Sequence, residues 1–492
     1  MKDSVLVVGA GPTGMTMASE LKRYGVSVRI VDKAAQRTDK SKALVLWSRT
    51  LELLNRGAGA APFIEAGFKV NAVNFMASAD NKVIGHVSMN SVKSPYPYAL
   101  MIPQSETERL LEERLAAQGV MVERQTEVLN FKEVADGVEV TLRHADGREE
   151  TTSAGWLIGC DGAHSIVRRT LGATFDGETN NSDWMLADVH MRGYPYPDTE
   201  ASVYWHHEGV FVVFPISPGR YRVLADLPAT GAAQPAAPTL EEAQAVIARR
   251  GPKGLTAFDP IWLAGFRING RKVKNYRWGR AFLVGDAAHI HSPAGGQGMN
   301  TGMQDAFNLA WKLALVIRNR CNEKLLDSYS VERSHVGDEV LKSAGRLTTV
   351  GTLRNPITQA VRNLVAHVAL GFSSVQHAFA DNMTEMDVAY PETPLNGPHL
   401  SGGPKPGERL APAAGEKPVG SGDTPLFGLF ADDDAGTSAL VHEFKGVLDP
   451  TIRPPVHKGG ICLVRPDGYV ACSADNPKAI AAYLSGIAMP SA

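Results

Sequence analysis

Apolar and polar positions along this chain change period several times, and each change marks an element. Residues 5–8 form an uninterrupted apolar run, residues 13–24 carry a helical spacing, and a second apolar run ends at Asp32. That order predicts a β-α-β unit. Helices are predicted near 48–55 and over 105–118, with short strands between them. Over 123–148 apolar and polar residues alternate around Asp136-Gly137 and Asp146-Gly147, the pattern of a small antiparallel meander. Four further runs, 185–191, 202–205, 210–215 and 221–227, are separated by turn signals at Glu208-Gly209 and Ser217-Pro218-Gly219-Arg220. They predict a second sheet inserted into the first domain, because a strand at 281–284 resumes the earlier character. Helical spacing returns over 305–319 and 339–372, and Pro and Gly then crowd 391–425 as in an extended linker. A hairpin over 461–464 and 469–472 and a helix over 477–486 follow, and no internal repeat is evident.

The expected fold is α/β. A Rossmann-like nucleotide-binding domain in two parts, 1–180 and 276–390, flanks an antiparallel β-sheet domain at 181–275. A linker at 391–426 leads to a small C-terminal unit at 427–492. With 492 residues, 44% of them hydrophobic, the chain can bury more than one core. A formal net charge of -2 gives no basic excess to attract nucleic acid. Cys160, Cys321, Cys462 and Cys472 stand at neither metal-ligand nor C-x-x-C spacing and read as reduced thiols. Met1-Lys2-Asp3-Ser4 passes straight into the first strand, and no apolar stretch reaches the ~18 residues of a membrane span. A soluble cytoplasmic protein is expected.

Three strand-turn-helix motifs carry the chemistry. Gly9-Ala10-Gly11-Pro12-Thr13-Gly14 opens the first helix, and Asp32 and Lys33 stand at the end of the second strand. The glycines serve a tight turn, backbone approach to a pyrophosphate and close helix packing, and the acid can accept from ribose hydroxyls. Gly159-Cys160-Asp161-Gly162 repeats the strand-and-turn pattern. Gly285-Asp286 does so again, followed by Pro293-Ala294-Gly295-Gly296-Gln297-Gly298-Met299-Asn300, whose backbone amides suit a planar cofactor and developing oxyanions. His289 and His291 lack a carboxylate or cysteine at ligand spacing, so no metal is expected and both read as helix-start residues.

In this order the motifs resemble the single-component FAD-containing aromatic hydroxylases, over roughly the first 340 residues. The resemblance implies that Gly9, Gly11, Pro12, Thr13, Gly14, Asp32 and Lys33 bind the ADP part of FAD. It also implies that Asp161 and Gly162 serve FAD and NAD(P)H, and that Asp286 meets the ribityl chain. Lys42 and Arg49, in the stretches Ser41-Lys42-Ala43-Leu44 and Arg49-Thr50-Leu51-Glu52, and Gln104 would contact FAD, as would Gly298, Met299 and Asn300. The family often has Arg where this chain has Lys42, which lacks the forked donor geometry. The run Asp327-Ser328-Tyr329-Ser330-Val331-Glu332-Arg333 matches a characteristic helix start, and the hairpin around Arg465-Pro466-Asp467-Gly468 resembles a short thioredoxin-like tail without C-x-x-C.

The implied reaction is hydroxylation of a phenolic or related aromatic substrate with NADPH or NADH and dioxygen, through a flavin C4a-hydroperoxide. Pro293, Gly295, Gly296 and Gln297 would stabilise the oxygenated cofactor, while Tyr204, His206, Phe211 and Phe214 of the inserted sheet would line the substrate site. The reading admits a homodimer without deriving one. A flavoprotein dehydrogenase or reductase, or a non-catalytic flavin-bearing redox sensor, stands as the alternative. The Trp-x-Trp-x-Ile-Pro segment of flavin halogenases does not occur.

Overall fold

A computed structural model describes residues 3–489, apart from Ala58, 78–81, Ala233, Ala413 and Ala414 and the side chains of Asn180 and Asn181. The apolar strand Ser4–Val8 lies at the centre of a six-stranded sheet, between Trp156–Gly159 and Ser27–Val31, with Ala281–Leu283 beyond. These four strands are parallel; Ser4–Val8, Trp156–Gly159 and Ala281–Leu283 are almost wholly buried, as expected of a sheet covered on both faces, whereas Ser27–Val31 is buried only at Ile30 and Val31. The predicted meander is present as Glu127–Val134, Gly137–Arg143 and Glu149–Ala154.

The second sheet has eight strands, the two longest being Asp176–Arg192 and Thr256–Lys272. It also takes Ala72–Met76 and Val83–Ser88 from the first part of the chain, pairing Ala72–Met76 in parallel with Glu200–His206. Alternation divides this sheet's residues between two cores. Trp184, Trp205, Val212, Phe214, Leu224 and Ile268 face the nucleotide domain and pack with Val45 and Trp47. Met185, Tyr204, Phe211, Val213 and Val223 face the other way, beneath Ala243, Val246 and Ile247 of the helix Leu240–Arg250.

Two helical predictions change. The helix expected from 305 starts earlier, as Gly298–Ile317, because its first turn is polar and glycine-rich and escapes an apolar count. The single stretch expected over 339–372 divides into Asp327–Gly351 and Pro356–Ala369. Asn355 caps the second helix, its Oδ1 accepting from the amides of Ile357 at 2.9 Å and Thr358 at 3.3 Å, and Pro356 fills the first position.

The C-terminal unit is a four-stranded sheet with the helices Ala435–Glu443 and Pro477–Ile487. The preceding Pro/Gly-rich segment is strapped to it: Gly397 donates to Ala471 O, Gly407 to Val470 O and Leu410 to Gly468 O, each at 2.9–3.0 Å. The hairpin turn at 465–468 enters the nucleotide domain. Arg465, fully buried, donates to both oxygens of Glu332 at 2.7 and 2.9 Å, and Asp467 accepts from Trp311 Nε1 at 3.1 Å. Lys312 Nζ reaches Glu332 at 2.7 Å. Burial opposes the charge on Glu332, but Arg465 and Lys312 hold its carboxyl well below the ordinary range.

Removing one member of such a network leaves a buried charge without its partner. Arg465→Ala should lower unfolding free energy by about 3–5 kcal/mol. Lys342→Ala, which breaks an exposed pair with Glu339, should cost at most about 0.5 kcal/mol. Urea denaturation of the two variants checks the contrast.

Candidate cofactor and active site

The first turn requires glycine twice for steric reasons. Gly9 has φ +99°, and a Cβ there would lie 2.4 Å from Cys160 O; a Cβ on Gly14 would lie 1.9 Å from Gly9 O. Gly11 differs, since a Cβ there meets no protein atom within 4 Å. Its freedom faces open space, as a cradle for a ligand demands. Asp32 fixes the turn from below, accepting from Ala10 N at 2.6 Å and from Ala34 N at 2.7 Å. Pro12 begins the helix Pro12–Arg23, whose N-terminus has no side-chain cap. The helix Gly298–Ile317 lacks one too, as do Ser48–Arg56, Gln104–Ala117, Asp327–Gly351 and Ser373–Met383. Uncapped first-turn amides and the helix dipole are suited to an anionic ligand.

Thr13 brings these two helix starts together. A Cβ on Gly302 would fall 2.6 Å from Thr13 Oγ1, and one on Gly285 would fall 2.9 Å from it. Asp305, one turn further along, accepts from Gly285 N at 3.0 Å and meets His289 Nε2 at 2.8 Å and Arg333 Nε at 2.5 Å. Burial works against the carboxylate, but Arg333 and His289 hold Asp305 below its ordinary range. Asp286, beside this knot, keeps its side chain exposed in the cleft between the elements. Desolvation by the surrounding protein pushes its carboxyl upward, offset in part by His289 and by Lys42, which is exposed on the facing loop.

The turn at 293–297 carries positive φ at Gly295 and Gly296, and a Cβ on Gly296 would lie 2.5 Å from Val45 Cγ1. Asn300 ties it to the loop 45–47. Its Oδ1 accepts from Trp47 N at 2.9 Å, and its Nδ2 donates to Val45 O at 2.9 Å. Trp47 Nε1 donates to Gly295 O at 3.0 Å. Pro293 is exposed, and Gly298 and Met299 sit in the uncapped first turn. Gln104 supports the Lys42 loop by accepting from Ala43 N at 3.1 Å. Lys33 is exposed beyond Asp32.

Several expected residues stand elsewhere. Arg49 is 1% exposed, pairs with Glu52 at 3.1 Å and donates to Asp467 O at 2.7 Å, so it holds the C-terminal turn instead of the cofactor cleft. Gln297 directs its amide to Asn382 O at 2.8 Å, leaving only its backbone toward the turn. Asp161 spends its carboxylate on the amides of Ile166 and Val167 at 2.6 and 3.2 Å, at the start of the short helix Ile166–Thr170; Gly162, at φ +77°, makes the bend. Tyr204, Phe211 and His206 lie on the sheet face turned from the nucleotide domain; a strand's period of two separates them from Trp205 and Phe214. His206 Nδ1 accepts from Glu208 N at 3.2 Å, and burial lowers its pKa. His289 belongs to the strand His289–Ile290 and not to a helix start; His291, just beyond that strand, places Nδ1 2.8 Å from Ser292 O. Among the described residues no group of His, Cys, Asp and Glu could hold a metal.

Sequence reasoning passed over Asp305, Arg222 and Glu385, and met Arg333 only as the end of a characteristic helix start. For Asp305, polar residues at 305, 308 and 312 in the otherwise apolar stretch 305–317 are the available signal, since buried polar groups need partners. Arg222 pairs with Asp188 and donates to Ser41 O and to Lys42 O at 2.5 and 3.1 Å, binding the second sheet to the loop that carries Lys42. Glu385 adopts φ +59° and accepts from Thr301 Oγ1 at 2.9 Å and Gln304 Nε2 at 2.5 Å beneath the Gly298 helix start. Burial pushes its carboxyl up to about 8, against the field of Arg333 and with that of Asp387.

The sequence profile described as an FAD binding domain matches residues 2–344. A 6-methylpretetramide 4-monooxygenase of Streptomyces rimosus is 34% identical, over 95% of this chain and 90% of its own. Pentachlorophenol 4-monooxygenase of Sphingobium chlorophenolicum is 37% identical over 69% of this chain and 63% of its own. An anhydrotetracycline hydroxylase from Streptomyces rimosus superposes with a TM-score of 0.79 at 28% identity, covering 99% of both chains.

Gly11→Ala should leave the melting temperature within a degree or two while weakening FAD at least roughly tenfold, about 1.4 kcal/mol, because the added methyl meets ligand and not protein. Fluorescence titration of the apoprotein with FAD reads the affinity. Glu385 has a second consequence. Its folded pKa of about 8 exceeds the ordinary 4.5, so the folded state retains a proton that the unfolded state has released, and stability falls as pH rises through that window. Glu385→Gln should flatten this slope and make the variant the more stable protein near pH 9, as measured by denaturation midpoints.

Proposed function

The chain belongs to the FAD binding domain family and is an FAD-dependent monooxygenase; we propose that it hydroxylates a phenolic or polyketide-type aromatic substrate. What carries this reading is the convergence of two uncapped helix N-termini on one cleft that also holds the open Asp286 carboxylate. The open space at Gly11, a cradle that a Cβ would occupy, fits the pyrophosphate of FAD. In the proposed arrangement Gly11 and the Pro12–Arg23 helix hold that pyrophosphate, and Asp286 accepts from the ribityl hydroxyls. Lys42, Gln104 and the amides of Gly298, Met299 and Asn300 hold the ring end. Asp161 and Gly162 support the cleft as a capped turn.

Bound FAD supplies hydride acceptance from NAD(P)H and activation of dioxygen. The protein supplies position and dryness. Amides at 295–300, aimed by Asn300 and the helix dipole, favour negative charge that develops beside them. Trp184, Trp205, Val212, Phe214 and Leu224 present an apolar wall on the same side as Val45 and Trp47, which excludes water from the reacting centre. A groove of about 580 Å³ opens between the loop 39–41 and the second sheet, lined in part by Lys40, Ser41, Ser105, Arg220 and Trp262. We assign the nicotinamide donor to it.

The redox-sensor alternative finds no support in the C-terminal unit. Cys462 and Cys472 are buried and free, and burial pushes the Cys462 thiol up to about 12, far from a reactive thiolate. Free buried cysteines support a reducing, cytoplasmic setting. Among the described residues no helix is long and apolar enough to cross a membrane.

The test is oxidation of NADPH and NADH in air by the FAD-loaded enzyme, with and without a panel of phenols and aromatic polyketides, and peroxide measured alongside. One compound should accelerate oxidation and gain a single oxygen; indifference to every compound would return the reductase reading. Phe214→Ala should raise the KM of the responding compound several-fold and increase peroxide release. Tyr204→Phe, on the opposite face, should leave both unchanged.

A further inference from the structure

A cavity of about 270 Å³ lies where the C-terminal unit and the segment strapped to it meet the end of the helix Ser48–Arg56. Its walls are mostly apolar and stiff. Leu410, Pro412, Val419, Phe430 and Pro455 line it, the prolines with one backbone angle fixed. Its charge is one-sided, since Arg56, Lys417 and Arg453 line it as cations and Glu416 alone among the lining residues is acidic.

Arg56 is the informative member. It is 5% exposed and donates from Nε to Val419 O at 2.9 Å, while its buried Nη1 has no partner among the described residues. Its Nη2 lies over Gly468, where a Cβ would fall 2.1 Å away, so glycine in the hairpin turn admits the guanidinium to the cavity wall. The carboxylates whose charge it feels are already engaged. Glu52 is held by Arg49 at 3.1 Å and by Arg409 at 3.3 Å, and Asp467 by Arg465 at 2.6 Å. Burial and the charge of Arg49 push the pKa of Arg56 down to about 10, as befits a cation short of counter-charge. Arg453 repeats the pattern more weakly. Its Nη1 donates to Lys417 O at 2.6 Å and its Nη2 meets Asp449 at 3.5 Å, but its Nε is buried without a partner among the described residues.

Buried donors need acceptors, and a charged acceptor is the strongest available to a guanidinium. An inorganic anion would meet these donors and leave the apolar walls uncovered. A carboxylate on an apolar body answers both. We propose that this cavity binds a small organic carboxylate, its anionic head on Arg56 and its apolar body against the proline-lined wall. None of the lining residues belongs to the cofactor cleft or to the groove assigned to the nicotinamide donor, so the failure of this site would leave the hydroxylase reading intact.

Isothermal titration calorimetry of the FAD-loaded protein at low ionic strength, with cyclohexanecarboxylate as the probe, tests this. One molecule should bind per chain, roughly tenfold or more tighter than neutral cyclohexanecarboxamide and than inorganic phosphate, because the site rewards charge and apolar body together. Arg56→Met should weaken the carboxylate by a similar factor and leave the melting temperature of the ligand-free protein unchanged or higher, since it removes a buried charge that has no counter-ion. A guanidinium that merely held the fold would cost stability when removed. Ala411→Trp, at an exposed position on the cavity wall, should block the probe with Arg56 still in place. Phe214→Ala, on the apolar wall of the second sheet, should leave binding unchanged. The proposal is overturned if the probe does not bind, if carboxylate and carboxamide bind alike, or if Arg56→Met keeps the affinity. Loss of binding in Phe214→Ala alone would overturn it by moving the probe to the substrate side, and phosphate binding as tightly as the carboxylate would overturn it in favour of an inorganic anion.

Discussion

The turn at Gly285-Asp286 and the Gly298–Ile317 helix that bounds the same cleft depend on the buried carboxylate of Asp305. It holds the Gly285 amide, orients His289 and is held by Arg333, so the Gly285-Asp286 turn, the start of the Gly298 helix and the Asp327–Gly351 helix meet at one ionised group. A charge taken out of water in this way must be fully partnered, and here it is. The close approach of Thr13 to Gly285 and Gly302 then sets the first helix against the same point. Shape and charge together place two helix dipoles at one cleft.

A second buried network extends this constraint to the C-terminal unit. Glu332 is adjacent in sequence to Arg333, and it accepts from Arg465 and Lys312 while Asp467 meets Trp311. The hairpin turn at 465–468 therefore acts as a plug in the nucleotide domain. Arg49, expected to serve FAD, serves this plug instead through Glu52 and Asp467 O. Such a network specifies one docking of the unit, since any shift strands several buried charges at once.

The inserted sheet separates two tasks by pleat alone. One face, with Trp205 and Phe214, packs toward Val45 and Trp47 of the nucleotide domain, and the other, with Tyr204 and Phe211, anchors the helix Leu240–Arg250. Arg222 and Asp188 link this sheet to the loop that carries Lys42 by one buried ion pair and two carbonyl contacts.

Much of the nucleotide domain was legible in the sequence. Gly9, Gly14 and Asp32 are dictated locally, because a left-handed turn, a helix packed against backbone and a strand-end acid each leave a residue-level mark. The strands 5–8 and 281–284 and the meander around Asp136-Gly137 likewise follow from short-range pattern. What the sequence could not decide was which way a side chain points once elements pack. Tyr204 and Trp205 are neighbours with equal aromatic character, and only the sheet's covering layers assign one to each face. Arg49 and Gln297 lie in motifs whose backbones do approach the cleft, while their side chains find partners at Asp467 and Asn382, 418 and 85 residues away. Long-range partners of buried charges leave no local signature, because the cost of an unpaired charge is settled only when the chain has closed around it. The sequence determined the turns and the chemistry they can offer; the tertiary structure decided which side chains face that chemistry and which hold it in place.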